Sequence, residues 1–423
     1  MRKVLHFQES DRFEIATRVT ESNSIMNMQI TPCRTVVTSF NPKTTTSSQL
    51  KSRDDGYFEQ GDWVLCVASS KHWLSCALSN GEVQVYDQSR LHHLQTYHHL
   101  SHVTELVSDT SDQNLLAASA VDGTITIFDV RQQQPAHQMK LPRPEEEALS
   151  LSLGFDGKIA AVGSSKAKIH FFDIRDSRSL LGSYSQAHTN EVTRVRFQKM
   201  TSFGSTTTTT PILLSGGEDG LACVFDTSQA TEEAALKNVL TVQSPIREVG
   251  FFGPQSDAIY CLTGSESLLL YHKDETACRK DFGSNLRRYL SQQTGTDGDS
   301  ITPIEYLVDC HWDAPRQELL LLAGSTNGEA GIFRVGDRDI SIAHRLHGGH
   351  RGVIRAWNPL STNIFMTVGE DARMCEWNRL GCQMYSAPRK APEVIMPNRS
   401  GPVLRRGGGK TRRPRNRMAA SPY

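Results

Sequence analysis

The sequence predicts an all-β protein, a seven-bladed β-propeller with a disordered basic C-terminal tail. Three observations predict this fold. One pattern, an apolar run, a small polar turn, an alternating run and an aromatic residue with a polar neighbour, occurs seven times in the 423 residues. Uninterrupted copies follow one another at intervals of 42–46 residues. Each copy also has one candidate strand before it and another after it, and four strands per repeat at this spacing are typical of a propeller blade.

The repeated pattern marks the second and third strands of each predicted blade. In chain order the copies are LSCALSNGEVQVYD (74–87), LLAASAVDGTITIFD (115–129), IAAVGSSKAKIHFFD (159–173), ILLSGGEDGLACVFD (212–226), IYCLTGSESLLLYH (259–272), LLLLAGSTNGEAGIFR (319–334) and IFMTVGEDARMCEWN (364–378). Several copies have Asn-Gly or Asp-Gly between two apolar runs, and these pairs tolerate the positive φ of a tight hairpin turn. Alternation such as TITIFD gives each strand an inner and an outer face.

The repeats set the domain boundaries. We expect a partly flexible N-terminal segment over 1–32, one propeller over 33–386 and the disordered tail over 387–423. The segment CRTVVTSF (33–40) is a candidate closing strand. A ring that shares its last blade between both ends of the chain leaves no open sheet edge at the join.

Two longer intervals between copies contain insertions that are expected to be surface loops. The first is the Thr-rich segment 201–211, and the second is 278–303. Four residues of the second insertion have helical spacing: Phe282, Leu286, Tyr289 and Leu290. They predict a short helix packed on the side of the propeller.

Charge separates the tail from the rest of the chain. The whole sequence balances 46 Lys and Arg against 46 Asp and Glu, but residues 387–423 contain ten basic residues and one acid. The first 386 residues therefore carry about −9 and the tail about +9. The main basic cluster is Arg405, Arg406, Lys410, Arg412, Arg413, Arg415 and Arg417. Such a segment cannot bury enough apolar surface to fold alone. It indicates a nuclear or nucleolar address, a weak contact with nucleic-acid phosphates, or a solubilising tail.

The nine cysteines and the N-terminus indicate a soluble, reduced, intracellular protein. The cysteines form no CxxC pair and several lie in apolar runs such as WVLCVAS, so neither a disulfide framework nor a zinc site is predicted. The N-terminus has no apolar signal-peptide core, and no stretch approaches the 18 apolar residues of a membrane span. We expect the nucleus or nucleolus rather than the cytoplasm, and no cofactor, metal or membrane contact.

Polar residues at matching places in two copies could form an active site or hold a blade together. They are His350, Thr367, Asp371 and Trp377 in the last copy and His188, Ser215 and Asp219 in the fourth. A hydrolase-like set is one interpretation. Against it, the sequence has no G-x-S-x-G elbow, and a single active site does not need the set in two blades. Hydrogen bonds among these side chains would instead give buried polar groups partners.

The repeat resembles the WD-repeat family. In that family a His before the first strand, a Ser or Thr in the second, an Asp in the turn and a Trp in the third form a hydrogen-bonded network inside the blade. The resemblance implies this structural role for both sets. Phe225 replaces the Trp of the fourth copy and truncates its network. The second copy keeps His102 and Asp122 but has Ala118 at the hydroxyl position, and no copy ends in Trp-Asp itself.

Two consecutive copies end in a D-x-R motif, FDVR and FDIR. Their charged residues are Asp129, Arg131, Asp173 and Arg175. In the WD-repeat family, paired motifs of this kind resemble the box by which substrate receptors dock on the DDB-type adaptor of cullin-RING ubiquitin ligases. Both copies have Phe where the box often has Trp. The alternative is two ordinary surface ion pairs, worth at most about 1 kcal/mol each.

Two further motifs are less specific. RGGGKTRR (406–413) ends like a phosphate-binding loop but has Leu404 where that loop needs Gly, so nucleotide binding is not predicted. LHHLQTYHHLSH (91–102) contains five histidines that fall on both faces of a strand. This arrangement favours a solvated outer strand over a metal site.

Together these features predict a non-enzymatic WD-repeat scaffold within a nuclear or nucleolar assembly. Propellers bind proteins or peptides on their rims and in the central depression, where loops from several blades converge. An acidic propeller suits a basic partner. The first alternative is a substrate receptor of a cullin-RING ubiquitin ligase, and the second is an enzyme.

Overall fold

Seven β-sheets follow one another along the chain in the computed structural model. The structure describes residues 28–38, 61–98, 101–109, 112–176, 180–199, 211–294 and 303–381, and the backbone of 393–395. Each sheet is one blade of a seven-bladed β-propeller, and the predicted fold class is confirmed. Two short helices accompany the strands over the described part of the chain.

The strands are numbered in chain order, and the first two precede the first blade. They are β1 (Met28–Ile30) and β2 (Arg34–Val37). Blade 1 contains β3 (Val64–Ser69), β4 (Trp73–Leu78), β5 (Val83–Asp87) and β6 (His93–Tyr97). Blade 2 contains β7 (Val103–Ser108), β8 (Leu115–Ala120), β9 (Thr124–Asp129) and β10 (His137–Lys140). Blade 3 contains β11 (Ala148–Gly154), β12 (Ile159–Ser164), β13 (Ile169–Asp173) and β14 (Leu180–Tyr184).

The later blades carry the two helices and the last strand. Blade 4 contains β15 (Val192–Phe197), β16 (Ile212–Gly217), β17 (Leu221–Asp226), helix α1 (Glu232–Ala235) and β18 (Leu236–Thr241). Blade 5 contains β19 (Ile246–Phe252), β20 (Ala258–Thr263), β21 (Leu268–His272) and β22 (Lys280–Asp281), followed by helix α2 (Leu286–Thr294). Blade 6 contains β23 (Tyr306–Asp313), β24 (Glu318–Gly324), β25 (Ala330–Val335) and β26 (Ile340–Leu346). Blade 7 contains β27 (Ile354–Pro359), β28 (Ile364–Gly369) and β29 (Arg373–Asn378), and β30 (Glu393–Ile395) follows.

Blade 7 takes its fourth strand from the N-terminal part of the chain. β2 pairs antiparallel with β29, and Arg34 lies opposite Glu376. Their side chains also form an ion pair. β2 lies inside the segment 33–40 that the sequence suggested as the closing strand, and it joins the predicted blade.

Blades 6 and 7 each have a fifth strand. β1 runs parallel to β26, with Ile30 opposite Leu346, and β30 runs parallel to β2. β1 precedes residue 33, the predicted start of the propeller, and β30 lies inside the predicted disordered tail. Strands of three residues are too short to show an alternating pattern, so periodicity could not reveal them.

The core is divided among the seven seams between neighbouring blades. Each seam within the described part contains one cluster of buried apolar side chains. One cluster joins Met366 and Met374 of blade 7 to Leu74 and Cys76 of blade 1. The ring is therefore closed by apolar packing as well as by the pairing of β2.

Every innermost strand carries a β-bulge near its start. The register with the second strand shifts by one residue at the same place in all seven blades. The residues that resume the pairing are Cys66, Glu105, Ser150, Arg194, Glu248, Asp309 and Ala356. A bulge redirects the side chains that follow it, so these residues form one ring around the central channel.

The second insertion forms the predicted helix, α2, on the side of the propeller. Leu286 and Leu290 are buried in the cluster between blades 5 and 6, and Phe282 packs against it. Tyr289 is partly exposed. The apolar face packs on the propeller's own side, so the helix does not present its leucines to a partner.

The cysteines differ from the expectation at one position. Cys33 is disulfide-bonded. The other seven described cysteines are free. Burial raises the pKa of Cys66 and Cys223 to about 12, so both thiols are protonated and unreactive at neutral pH.

Candidate functional site

Four side chains of blade 7 form one chain of hydrogen bonds. His350, before β27, contacts the Asp371 carboxylate through Nδ1 at 3.0 Å and Thr367 Oγ1 through Nε2 at 2.8 Å. The indole N–H of Trp377 donates to the same Thr367 oxygen at 2.7 Å. Every polar group of the set therefore has a partner inside the blade.

This network is sealed from solvent. The His350 side chain is 0% exposed and that of Asp371 is 3% exposed. Burial alone would raise the pKa of Asp371, but the hydrogen bond and the charge of His350 lower it. Because the Thr367 hydroxyl is also fully buried, a substrate has no access to it. The geometry favours an internal role over a nucleophile–base pair.

Blade 4 contains the shorter version of the network. His188 contacts Ser215 Oγ at 2.7 Å and Asp219 at 3.1 Å. The backbone N–H of Thr189 also donates to Asp219, at 2.9 Å. Phe225 occupies the place of the indole and has no N–H. The Ser215 hydroxyl therefore has one hydrogen-bond partner in its network, His188, whereas the Thr367 hydroxyl has two.

The second blade does not assemble the set that the sequence suggested. His102 and Asp122 are both exposed. The Asp122 carboxylate accepts a hydrogen bond from the backbone N–H of Thr124 within its own turn, at 3.0 Å. Without a hydroxyl at Ala118, no buried acceptor holds a histidine inside this blade.

Blade 3 contains a buried set that the sequence analysis missed. Glu146, before β11, accepts a hydrogen bond from Ser164 at 2.7 Å and contacts His170 Nε2 at 2.9 Å. His170 Nδ1 contacts Ser183 on β14 at 2.7 Å. The side chains of Glu146 and His170 are almost fully buried. Here an acid takes the place of the family's histidine and the histidine stands on the third strand, so a search for the usual order does not find the set.

Charged side chains from several innermost strands meet in the central channel. Arg196 forms ion pairs with Glu105 at 2.7 Å and Glu248 at 3.3 Å, and Arg194 pairs with Glu248 at 2.6 Å. Ser150 donates to Glu105 at 2.6 Å. These contacts join blades 2, 3, 4 and 5. The sequence contains a signal for these ion pairs. Predicted strands such as VTELVSD, EVTRVRFQ and IREVGFF each carry a charged residue near the middle.

Asp309 adds a further acid to the channel from blade 6. Its Oδ1 accepts hydrogen bonds from the Tyr260 hydroxyl at 3.0 Å and from the Cys310 N–H at 2.7 Å. Burial and the nearby Glu248 raise the pKa of Asp309 to about 7, although Arg196 opposes the shift. Asp309 therefore binds its proton more tightly than an exposed aspartate does.

Carboxylates stand at one mouth of the channel. In blade 4 the Glu218 N–H donates to the Glu191 carbonyl at 2.9 Å, which brings the two residues together. In blade 3 the Ser165 N–H donates to the Glu147 carbonyl at 3.1 Å at the equivalent place. Glu147 and Glu218 are exposed and Glu191 is half-buried. Neighbouring blades thus present negative charge at the same rim.

The two D-x-R motifs have the same geometry. Arg131 donates to Asp129 from Nε at 2.8 Å and from Nη2 at 2.6 Å. Arg175 holds Asp173 in the same bidentate way, which lowers the pKa of Asp173 to about 2. The arginine side chains are 68% and 64% exposed.

A cleft of about 380 Å³ between blades 2 and 3 lies beside these motifs. Asp129 of one motif and Arg175 of the other line it, together with Phe128 and Ile174. The structure therefore brings one residue of each motif to the same cleft. Two surface ion pairs and a docking box are both compatible with this arrangement.

Known proteins of similar sequence carry WD repeats. The chain is 25% identical over 320 residues to the WD repeat-containing protein 89 homolog of Dictyostelium discoideum, covering 74% of this chain and 82% of that protein. It is 25% identical over 334 residues to the WD repeat-containing protein GTS1 of Arabidopsis thaliana, covering 75% and 81%. An uncharacterized WD repeat-containing protein of Saccharomyces cerevisiae is 27% identical over 229 residues, 52% of this chain and 54% of that one. No family model matches the chain.

A solved structure shares the fold. A chain in the crystal structure of the mitotic checkpoint complex superposes with a TM-score of 0.60 over 89% of this chain and 98% of its own length, at 15% identity. The seven blades and the named relatives point to the same family. The chain is similar to WD-repeat proteins in sequence and has a seven-bladed propeller fold. Blade 7 carries the full polar network that this resemblance implies, and blade 4 carries it without the indole.

Some expectations concern residues outside those that the structure describes. The basic residues Arg405 to Arg417 and the segment 406–413 are among them. Within the described residues, no group of three or more His, Cys, Asp or Glu side chains is placed to hold a metal ion. No helix in that part is long and apolar enough to cross a membrane.

Proposed function

We propose that this WD-repeat protein is a non-enzymatic scaffold on which partner proteins assemble. The observation that carries the proposal is the burial of both Ser/Thr–His–Asp sets. The His350 and His188 side chains are at most 1% exposed, and the hydroxyls of Thr367 and Ser215 are fully buried. These groups stabilise blades and are not available to a substrate, whereas the rims and channel mouths are available to partners. WD-repeat relatives support the same function.

The mouth that carries Glu147, Glu191 and Glu218 suits a basic segment of a partner. Complementary charge speeds the encounter and is weakened by salt. We expect partners identified by proximity labelling with the full chain to bind Glu191→Gln/Glu218→Gln protein more weakly than wild type, with a smaller salt dependence. Glu233→Gln, an exposed acid on α1, is the matched control. Equal binding by all three proteins would contradict this use of the mouth.

The enzyme alternative has its own test. If the blade 7 set were catalytic, purified protein would hydrolyse ester or amide substrates and Thr367→Ala would abolish that activity while the fold persisted. We expect no such activity in the wild type. A hydrolase activity that disappears in a folded Thr367→Ala protein would overturn the scaffold proposal.

We also propose that the scaffold works in a nuclear or nucleolar assembly and that residues 387–423 provide the address. Ten basic residues and one acid in that segment support the proposal, and the same charge could contact nucleic-acid phosphates. Deletion of 387–423 should relocalise a fluorescent fusion of the full chain. Deletion of 418–423 keeps all ten basic residues and serves as control. Unchanged imaging after the longer deletion would reject the address.

A second candidate function is substrate reception for a cullin-RING ubiquitin ligase. It is favoured by the matching bidentate geometry of the D-x-R motifs on neighbouring blades. The DDB-type adaptor should co-purify with wild type and be lost with Arg131→Ala/Arg175→Ala. Arg279→Ala is the control, because Arg279 forms a comparable exposed ion pair with Glu275 on blade 5. Recovery that is unchanged in the double variant, or absent from wild type, would exclude this function.

A further inference from the structure

No strand of the described residues covers the outer edge of blade 3. β14 forms this edge, and its first four residues are exposed. Leu180 is 41% exposed and Leu181 is 55% exposed, and the strand LLGSY carries no charge. A free strand edge presents unpaired N–H and C=O groups, and proteins usually guard such an edge with charges, brevity or a covering segment.

Most other blade edges have one of these protections. β10, β18 and β22 each contain a lysine: Lys140, Lys237 and Lys280. β26 is covered by β1, and β2 by β30. β6 has a single exposed leucine, Leu94, among polar neighbours. Blade 3 alone among the described blades offers two adjacent exposed leucines on an uncharged outer strand.

β14 is held in its extended conformation without a further strand. The Glu232 carboxylate of α1 accepts hydrogen bonds from the three backbone N–H groups that follow β14, those of Ser185, Gln186 and Ala187, at 2.7, 2.7 and 2.9 Å. Inside the blade, Ser183 contacts the buried His170. The strand is therefore ordered before any partner arrives, which reduces the entropy lost on binding.

The molecule shows what kind of segment such an edge accepts. β26 is the fourth strand of its blade, as β14 is of blade 3, and β1 lies along it as an added strand with Ile30 buried against the blade.

We propose that blade 3 binds a partner by strand addition: an extended, uncharged segment of another protein pairs with the free edge of β14 and packs apolar side chains on Leu180 and Leu181. Backbone hydrogen bonds supply affinity in this mode, and alternate side chains supply specificity. At Gly182 an added Cβ would meet nothing within 4 Å, so the face of β14 at this residue is open to a partner's side chain. The proposal rests on the scaffold function and adds the class of partner segment.

The test uses a phage-displayed library of random dodecapeptides selected on the immobilised full chain. Enriched peptides should have apolar residues at alternate positions. Leu181→Lys should weaken their binding by about tenfold or more, since a lysine on the edge opposes strand addition. Leu94→Lys is the matched control, because Leu94 occupies the same bulge in β6 as Leu181 in β14 and is equally exposed at 55%.

Hydrogen exchange locates the binding site directly. An enriched peptide should slow exchange of the amides in 180–184 in the wild type and not in Leu181→Lys protein. Enriched peptides that bind both lysine variants equally, or protect another region, would overturn the proposal and leave the scaffold function standing. Selection that enriches no peptide would also overturn it. Thermal melting verifies that both variants are folded, which is expected for exposed positions.

Discussion

Replacing Thr367 with Val removes one oxygen that serves two buried partners. The change keeps the shape of the side chain, so it isolates the hydrogen bonds from packing. The Trp377 N–H loses its acceptor at 2.7 Å, and His350 Nε2 loses its partner at 2.8 Å. Each unsatisfied buried group costs about 1–3 kcal/mol. We therefore expect the free energy of unfolding to fall by about 2–6 kcal/mol.

Blade 4 provides an internal comparison for this magnitude. Ser215→Ala also removes one oxygen, but only His188 loses a partner, because Phe225 has no N–H. We expect a loss of about 1–3 kcal/mol, roughly half that of Thr367→Val. Trp377→Phe converts blade 7 to the arrangement of blade 4, and after that change Thr367→Val should also cost about half as much.

Urea denaturation followed by circular dichroism measures these differences, since the signal does not depend on the tryptophan that one variant removes. A double-mutant cycle of Thr367→Val and Trp377→Phe gives the coupling energy directly. The reasoning is refuted if Ser215→Ala destabilises the protein as much as Thr367→Val, or if the cycle shows no coupling. A Thr367→Val protein as stable as the wild type would show that the network does not hold the blade.

Two further predictions concern buried charge. Asp313→Asn should lower the free energy of unfolding by about 3–5 kcal/mol in urea denaturation, because it leaves the buried Arg379 guanidinium without its carboxylate. Glu275→Gln, which breaks the exposed ion pair with Arg279, should have little effect. A similar loss of stability in both variants would contradict this prediction. Asp309→Asn should stabilise the protein increasingly as pH rises. The folded-state pKa of Asp309, about 7, lies above its unfolded value of about 3.9, so the wild type loses stability between those values as pH increases. The gain in melting temperature should grow from pH 4 to pH 7 and then stay constant, and a gain independent of pH would contradict the assignment.

The propeller was predictable from the sequence because each blade is specified by strand and turn patterns within one short stretch of the chain. Turns such as Asn80-Gly81 and alternating strands such as β9 repeat at a constant interval, and each repeat shows the same pattern on its own. The blade 7 network was also predictable, because its residues keep the family's order. The D-x-R docking box and the nuclear address stay predictions.

The buried pair of blade 3 and the ion pairs of the channel could not be predicted from local sequence patterns. The Glu146–His170 pair exchanges the usual positions of acid and histidine, and it becomes visible only when β11 and β13 lie in one blade. The channel contacts join Glu105 to Arg196, which are 91 residues apart in sequence and come from blades that are not neighbours. The sequence shows a charged residue on several innermost strands, but which of these residues form ion pairs depends on how the ring of blades closes.

The number of blades, their hairpins and the residues of the polar sets in blades 4 and 7 follow from local sequence patterns, since each depends on residues close together in the chain. The covering of individual blade edges is visible only in the folded protein. β1 covers the edge of blade 6, whereas no described strand covers β14 of blade 3, and this difference depends on where a distant strand comes to lie. Pairing between distant strands has no local signature, because many different extended segments can pair with a free edge.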